Sequence, residues 1–143
     1  MALNPTFNTP ILLIVFNRPE ETTKLWAEIK KLKPKKLYVA ADGPRPNNNG
    51  DMIKCMQTRE IVTKGLDWDC DMKLMFQEHN LGCGIAIKEA LMWFFKNEPE
   101  GIILEDDCIP HQDFFSFCAS LLEKYRYEEK VFMICGNNIN NNS

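Results

Sequence analysis

The sequence predicts an α/β fold in three layers, a mostly parallel sheet with helices on both faces. Two observations carry that expectation. Short apolar runs alternate with helical stretches, strand then helix, four times over. The first apolar run, 11–16 (ILLIVF), is continuous rather than alternating, as expected for a strand buried on both faces.

The elements follow in order. After the first strand comes Asn17-Arg18-Pro19. Proline suits the first turn of a helix, and Glu20 and Glu21 complement its positive end. Leu25, Ile29 and Leu32 repeat at helical spacing, Lys30, Lys31 and Lys33 mark the far end, and Pro34 stops it. Residues 37–41 (LYVAA) read as a second strand, running into the breaker-rich loop Asp42-Gly43-Pro44-Arg45-Pro46 and Asn47 to Gly50. A helix is expected over 53–64 and a third strand over 72–76. Asn80-Leu81-Gly82-Cys83-Gly84 then opens an apolar helix over 85–96. A fourth strand, 101–104 (GIIL), ends in Glu105-Asp106-Asp107. Phe114, Phe117, Cys118, Leu121, Leu122 and Tyr125 form one face of the next helix, and 131–135 (VFMIC) reads as a fifth strand. The aromatic residues Trp93, Phe94, Phe95, Phe114, Phe115 and Phe117 are expected as core.

The chain of 143 residues is expected to form one domain, 1–143, with a polar, Asn-rich tail at 137–143. A final strand without a covering helix suggests the front part of a longer protein, or a small standalone version of one. Seventeen Lys and Arg against twenty Asp and Glu give a net charge of −3. A field of that sign does not attract nucleic acid or an anionic membrane surface. No apolar run approaches the roughly 20 residues of a membrane span, and no export signal is legible, so the expected location is cytoplasmic. The six cysteines show no CxxC spacing and are expected as free thiols rather than disulfides or zinc ligands.

In an open parallel sheet, ligands bind beyond the carboxyl ends of the strands. There the sequence places Asn17 and Arg18, Asp42 and Arg45, Glu78 to Asn80, and Glu105 to Asp107. Acidic groups mixed with arginines suit a ligand carrying a ribose, phosphates and a divalent cation. Side chains alternate along an extended chain, so Glu105 and Asp107 leave on one side and Asp106 on the other. Two such carboxylates suit Mg²⁺ or Mn²⁺; the plainer reading is an acidic strand end capping the next helix. Asp42 reads either as an acceptor for a base N–H or ribose hydroxyl, or as turn chemistry. Arg18 and Arg45 read as phosphate or base contacts, or as solvated surface. Lys88 reads as a nucleotide contact or as a solvated helix position. The two glycines before the helix at 85–96 can admit an anion, although neither GxGxxG nor GxxxxGK[ST] is present.

In combination these segments resemble a known family. The run GIILEDDCIPHQDFFSFCASLLEKY is similar to the metal-binding segment of GT-A glycosyltransferases, a Rossmann-like nucleotide-diphospho-sugar transferase fold. The resemblance is to bacterial nucleotide-sugar transferase-like proteins and to the N-acetylglucosaminyltransferase I family. Glu105-Asp106-Asp107 stands as a variant of their DXD motif, followed by Asp113-Phe114-Phe115. PILLIVFNRPEET, KKLYVAADGPR and NLGCGIAIKEALMWFF resemble the preceding units, so the likeness covers most of 10–136.

The resemblance implies transfer of a hexosyl or N-acetylhexosaminyl group from a UDP-sugar to a glycan or other acceptor, with Mn²⁺ or Mg²⁺. Asp107 would be the main metal ligand, with Glu105 and Asp106 placing the metal, ribose or sugar. Asp42 would contact the uracil or ribose, and Arg18 would lie beside the nucleotide. Lys88 falls near a nucleotide-contacting position, with a residue type unlike the histidine of eukaryotic members. Such enzymes carry the acceptor site and, in inverting members, a carboxylate general base beyond the DXD segment; no catalytic base is assigned in this chain. Two alternatives stand beside this reading: a non-catalytic nucleotide-sugar-binding remnant or interaction module, and a nucleotidyltransferase.

Overall fold

The computed structural model describes residues 7–136. Four strands and four helices alternate: β1 Ile11–Val15, α1 Pro19–Leu32, β2 Lys36–Ala41, α2 Asp51–Lys64, β3 Asp71–Phe76, α3 Cys83–Asn97, β4 Ile102–Glu105 and α4 Gln112–Tyr125. The strands form one sheet in the order β3-β2-β1-β4, and every pairing is parallel. Leu13 of β1 stands opposite Val39 of β2 and Leu104 of β4.

The alternation of side chains along the strands divides the core into two. Ile11, Leu13, Val15, Leu37, Val39 and Leu104 pack on one face with Leu25 and Ile29 of α1, Val62 of α2 and Phe115 of α4. Leu12, Tyr38 and Ala40 pack on the other face with Ala90 and Phe94 of α3. The central strands β1 and β2 are buried on both faces, which is why their apolar runs are nearly uninterrupted. The expected α/β architecture with helices on both faces is therefore present.

The strand order has a consequence for the site. From β1 the sheet grows through β2 to β3, with α1 and α2 on one face. The chain then crosses by α3, on the opposite face, to β4 on the other side of β1. The connections therefore diverge between β1 and β4, which opens a crevice at the carboxyl ends of these two strands.

Polar contacts fix α3 at its other end. Tyr38 Oη donates to Glu98 Oε1 at 2.8 Å, and Lys36 Nζ lies 3.0 Å from both oxygens of Glu98. Glu98 follows the last turn of α3, so this anchor at the start of β2 leaves the helix N-terminus directed toward the carboxyl ends of the strands.

Two expectations are corrected. Residues 131–135 form no strand: the segment is irregular, with Phe132 99% and Met133 77% exposed. Its composition favours extended structure, but a strand exists only with a ladder partner, and among the described residues this segment has none. The aromatic residues do not form one core either. Phe94 and Phe115 are fully buried on opposite sides of the sheet, while Phe95 and Phe117 are half exposed. The expected tail at 137–143 lies outside the described residues.

Candidate functional site

A cleft of about 390 Å³ lies across the carboxyl ends of the strands. That is within the range of roughly 300–1,000 Å³ found for small-molecule sites. Ile14, Ala40 and Met75 form an apolar floor, and Arg18, Asp42, Arg45, Asn80, Glu105 and Asp106 contribute the polar rim. Residues from four separate strand ends are thus gathered at one opening. Lys88, on α3, and Asp107, just after β4, are exposed and are not among the residues lining the cleft; Asp107 adjoins it through Asp106 and Arg18, which do line it.

The β2 side of the rim is internally saturated. Asp42 is buried, and its Oδ1 accepts from the backbone N–H of Gly43 and of Leu81, both at 2.8 Å. Its Oδ2 accepts from Asn80 Nδ2 at 2.9 Å and from the Gly82 N–H at 3.2 Å. The carboxylate is a clamp between the loop after β2 and the loop after β3, rather than a turn within its own loop. The loops meet so closely that a Cβ on Gly43 would fall 2.4 Å from the backbone carbon of His79. Arg59, on α2, fastens the same place: its Nη2 donates to the carbonyls of Asp42 and Gln77 at 3.1 and 2.6 Å.

Arg45 is held by Asp51, the first residue of α2. Arg45 Nε and Nη2 reach the two Asp51 oxygens at 2.5 and 2.9 Å, and Asn17 Nδ2 adds a third donor at 2.7 Å. The Arg45 guanidinium also lies 5.6 Å from the centre of the Phe16 ring. The hydrogen bonds from Arg45 hold the Asp51 carboxyl well below the usual carboxylate range. Asp51 and Arg59 are absent from the sequence-level candidates. An acidic residue at a helix start was a faint signal for Asp51. Arg59 had none, because its partners lie on two other elements.

The opposite side of the rim, at the ends of β1 and β4, is open. Asp106 is buried and accepts from the Phe16 N–H at 3.1 Å. Glu105, the last residue of β4, and Asp107, in the turn that follows, are exposed; the expected alternation does not extend past the strand end. Arg18 Nη1 bridges to Asp106 Oδ1 at 3.2 Å and to Asp107 Oδ2 at 2.7 Å. Burial raises the Asp106 pKa, whereas the hydrogen bond from Arg18 lowers that of Asp107. Neighbouring carboxylates are thus driven apart in acidity by their surroundings.

The third wall is the N-terminus of α3. Gly82, its N-cap, has φ of +79°, a conformation that favours glycine, and it supplies no capping side chain. The other three helices each carry an acidic residue in the first turn; α3 carries none. The buried Asp42 carboxylate accepts from the N–H groups of Leu81 and Gly82 and so offsets part of the positive end of α3. The N–H groups after Gly82 have no side-chain cap at this wall of the cleft.

Among the described residues, no group of three or more His, Cys, Asp or Glu side chains converges as a complete metal cage. Mg²⁺ and Mn²⁺ do not require one, since one or two carboxylates with ligand phosphates and water suffice. Asp106 and Asp107 already share a single cationic nitrogen, so their oxygens stand where one positive charge serves both. Of the three carboxylates Glu105 and Asp107 are the accessible ones, and hard oxygen donors of this kind are the type that Mg²⁺ or Mn²⁺ takes.

All six cysteines are unpaired, in line with the expectation of free thiols. No described helix is long and apolar enough to cross a membrane. Comparison with protein-family models and with curated proteins yields no match.

Proposed function

We propose that this chain is the nucleotide-sugar-binding part of a GT-A-type glycosyltransferase, with a UDP-sugar in the cleft and Mn²⁺ or Mg²⁺ at Asp107 and Glu105. The single observation that carries the reading is the two-signed cleft at the β1–β4 divergence. An acidic wall from β4 and the N-terminus of α3 line one cleft with an apolar floor; Asp42 takes the Gly82 N–H, and the N–H groups that follow carry no side-chain cap. A diphosphate with its counter-cation is the ligand that such a pair of walls accommodates. In this reading the α3 N–H groups receive phosphate oxygens, and Glu105 and Asp107 receive the cation. The base and ribose lie toward Arg45 and the floor, because Asp42 has committed both carboxylate oxygens to its own chain. Asp42 therefore supports the ligand wall rather than touching the nucleotide. The bound cation would offset the charge that develops on the departing nucleoside diphosphate. The acceptor is a glycan or another hydroxyl compound.

Calorimetric titration of UDP with and without Mn²⁺, on the wild type and on Asp107→Ala, tests the reading. The expected result is binding at least tenfold tighter with Mn²⁺, an enhancement that Asp107→Ala abolishes. Binding that ignores both the metal and the substitution would sink the metal assignment. No UDP binding by the folded chain would sink the ligand class.

A further inference from the structure

This inference rests on the nucleotide-sugar reading and concerns the role of Arg18 within it. Arg18 immediately precedes α1, at the end of β1, while Asp106 and Asp107 follow β4. Its Nη1 lies 3.2 Å from Asp106 and 2.7 Å from Asp107, so one cationic nitrogen sits between two carboxylates. The two partners are unequal. Asp106 has a second, backbone donor in Phe16 and a side chain only 9% exposed. Asp107 is 55% exposed, and among the described residues its side chain meets, apart from Arg18, only the Cys108 thiol, a weak contact at 3.7 Å. The Arg18 side chain is itself half exposed, and both its hydrogen bonds go to these carboxylates.

A guanidinium and a divalent cation compete for the same Asp107 oxygen. We propose that Arg18 is an exchangeable counter-ion that closes the cation site of the empty cleft and turns to the diphosphate when metal and nucleotide enter together. In the empty cleft its guanidinium neutralises Asp107. When a divalent cation takes that carboxylate, Arg18 is released beside the incoming phosphates, whose geometry its planar fork matches. The swap couples the two ligands. Metal alone must displace Arg18 from Asp107 and leave it only the longer Asp106 contact, and a diphosphate alone meets an arginine already engaged by two carboxylates. Each ligand therefore strengthens the other by the same factor. Arg18 also becomes the residue that favours a diphosphate over a monophosphate.

The test is titration of Mn²⁺, followed by electron paramagnetic resonance, into the wild type, Arg18→Gln and Arg18→Lys, with and without UDP. Far-ultraviolet circular dichroism checks that each variant is folded. Arg18→Gln should bind Mn²⁺ alone about fivefold tighter than the wild type, the scale of losing one exposed ion-pair partner. In the same variant the gain in Mn²⁺ affinity on adding UDP should shrink by about tenfold. Arg18→Lys keeps the charge and should stay near the wild type for Mn²⁺ alone, while losing part of the preference for UDP over UMP. Unchanged Mn²⁺ affinity in Arg18→Gln, or no Mn²⁺ binding by any of the three proteins, overturns the proposal. If Arg18→Gln tightens Mn²⁺ while UDP binds none of them, the counter-ion role stands and the nucleotide reading falls. If UDP and Mn²⁺ bind the wild type together but Arg18→Gln leaves Mn²⁺ affinity unchanged, the nucleotide reading stands and the counter-ion role falls.

Discussion

The two sides of the cleft mouth carry similar residues in opposite conditions. On the β2 side, Asp42 and Asp51 are buried, and each accepts four hydrogen bonds from the chain itself. On the β4 side, Asp107 is exposed and rests on one half-exposed arginine. Residue type alone does not separate a scaffold carboxylate from a ligand-binding one. The donors do. Three of the four donors on Asp42 are backbone N–H groups, fixed in place. Asp51 is itself buried and is held by Arg45 and Asn17, whereas the exposed Asp107 rests on a long side chain that exchanges its partner at little cost.

The largest expected effect breaks the β2 side. Asp42→Ala leaves the N–H groups of Gly43, Leu81 and Gly82 without their acceptor and releases two loops from each other. It should cost about 3 kcal/mol in urea unfolding, whereas Asp107→Ala should stay within about 0.5 kcal/mol. Equal losses for the two substitutions would abolish the contrast.

Acid titration sharpens it. The folded-state pKa of Asp51 is depressed, chiefly by the hydrogen bonds from Arg45, so the unfolded state takes up the proton first. The stability this carboxylate contributes is complete above the ordinary value of about 3.9 and declines as the pH falls below it. Asp51→Asn should therefore flatten the loss of thermal stability between about pH 4 and pH 2. A slope identical to the wild type's would mean that the Arg45 pair does not persist in solution.

The smallest effect concerns Lys88. Its exposed position away from the cleft predicts that Lys88→Ala leaves UDP affinity within about twofold of the wild type. A larger drop would extend the ligand along the outside of α3.

Much of the fold was legible because it is written in local periodicity. Continuous apolar runs marked β1 and β2, and Pro19 with Glu20 and Glu21 marked the start of α1. Alternation read through Glu105, Asp106 and Asp107 runs past the strand: β4 ends at Glu105, and a turn sets the burial of Asp106 and the exposure of Asp107. The segment 131–135 had the same local signal as a strand, yet pairing depends on a neighbour that local signal does not provide. The Asp42 clamp was not legible for a related reason: its partners Leu81 and Gly82 lie 39 and 40 residues away.

The sequence by itself therefore determined the order of the four strand–helix pairs, the two-sided burial of the central strands, and the presence of charged residues at the strand ends. The tertiary structure decided that β4 lies beside β1, and so brought Arg18 to carboxylates 88 and 89 positions further along the chain. Periodicity reports how a residue faces its own element. Which charges meet is set by strand order, a global outcome of packing both faces of one sheet.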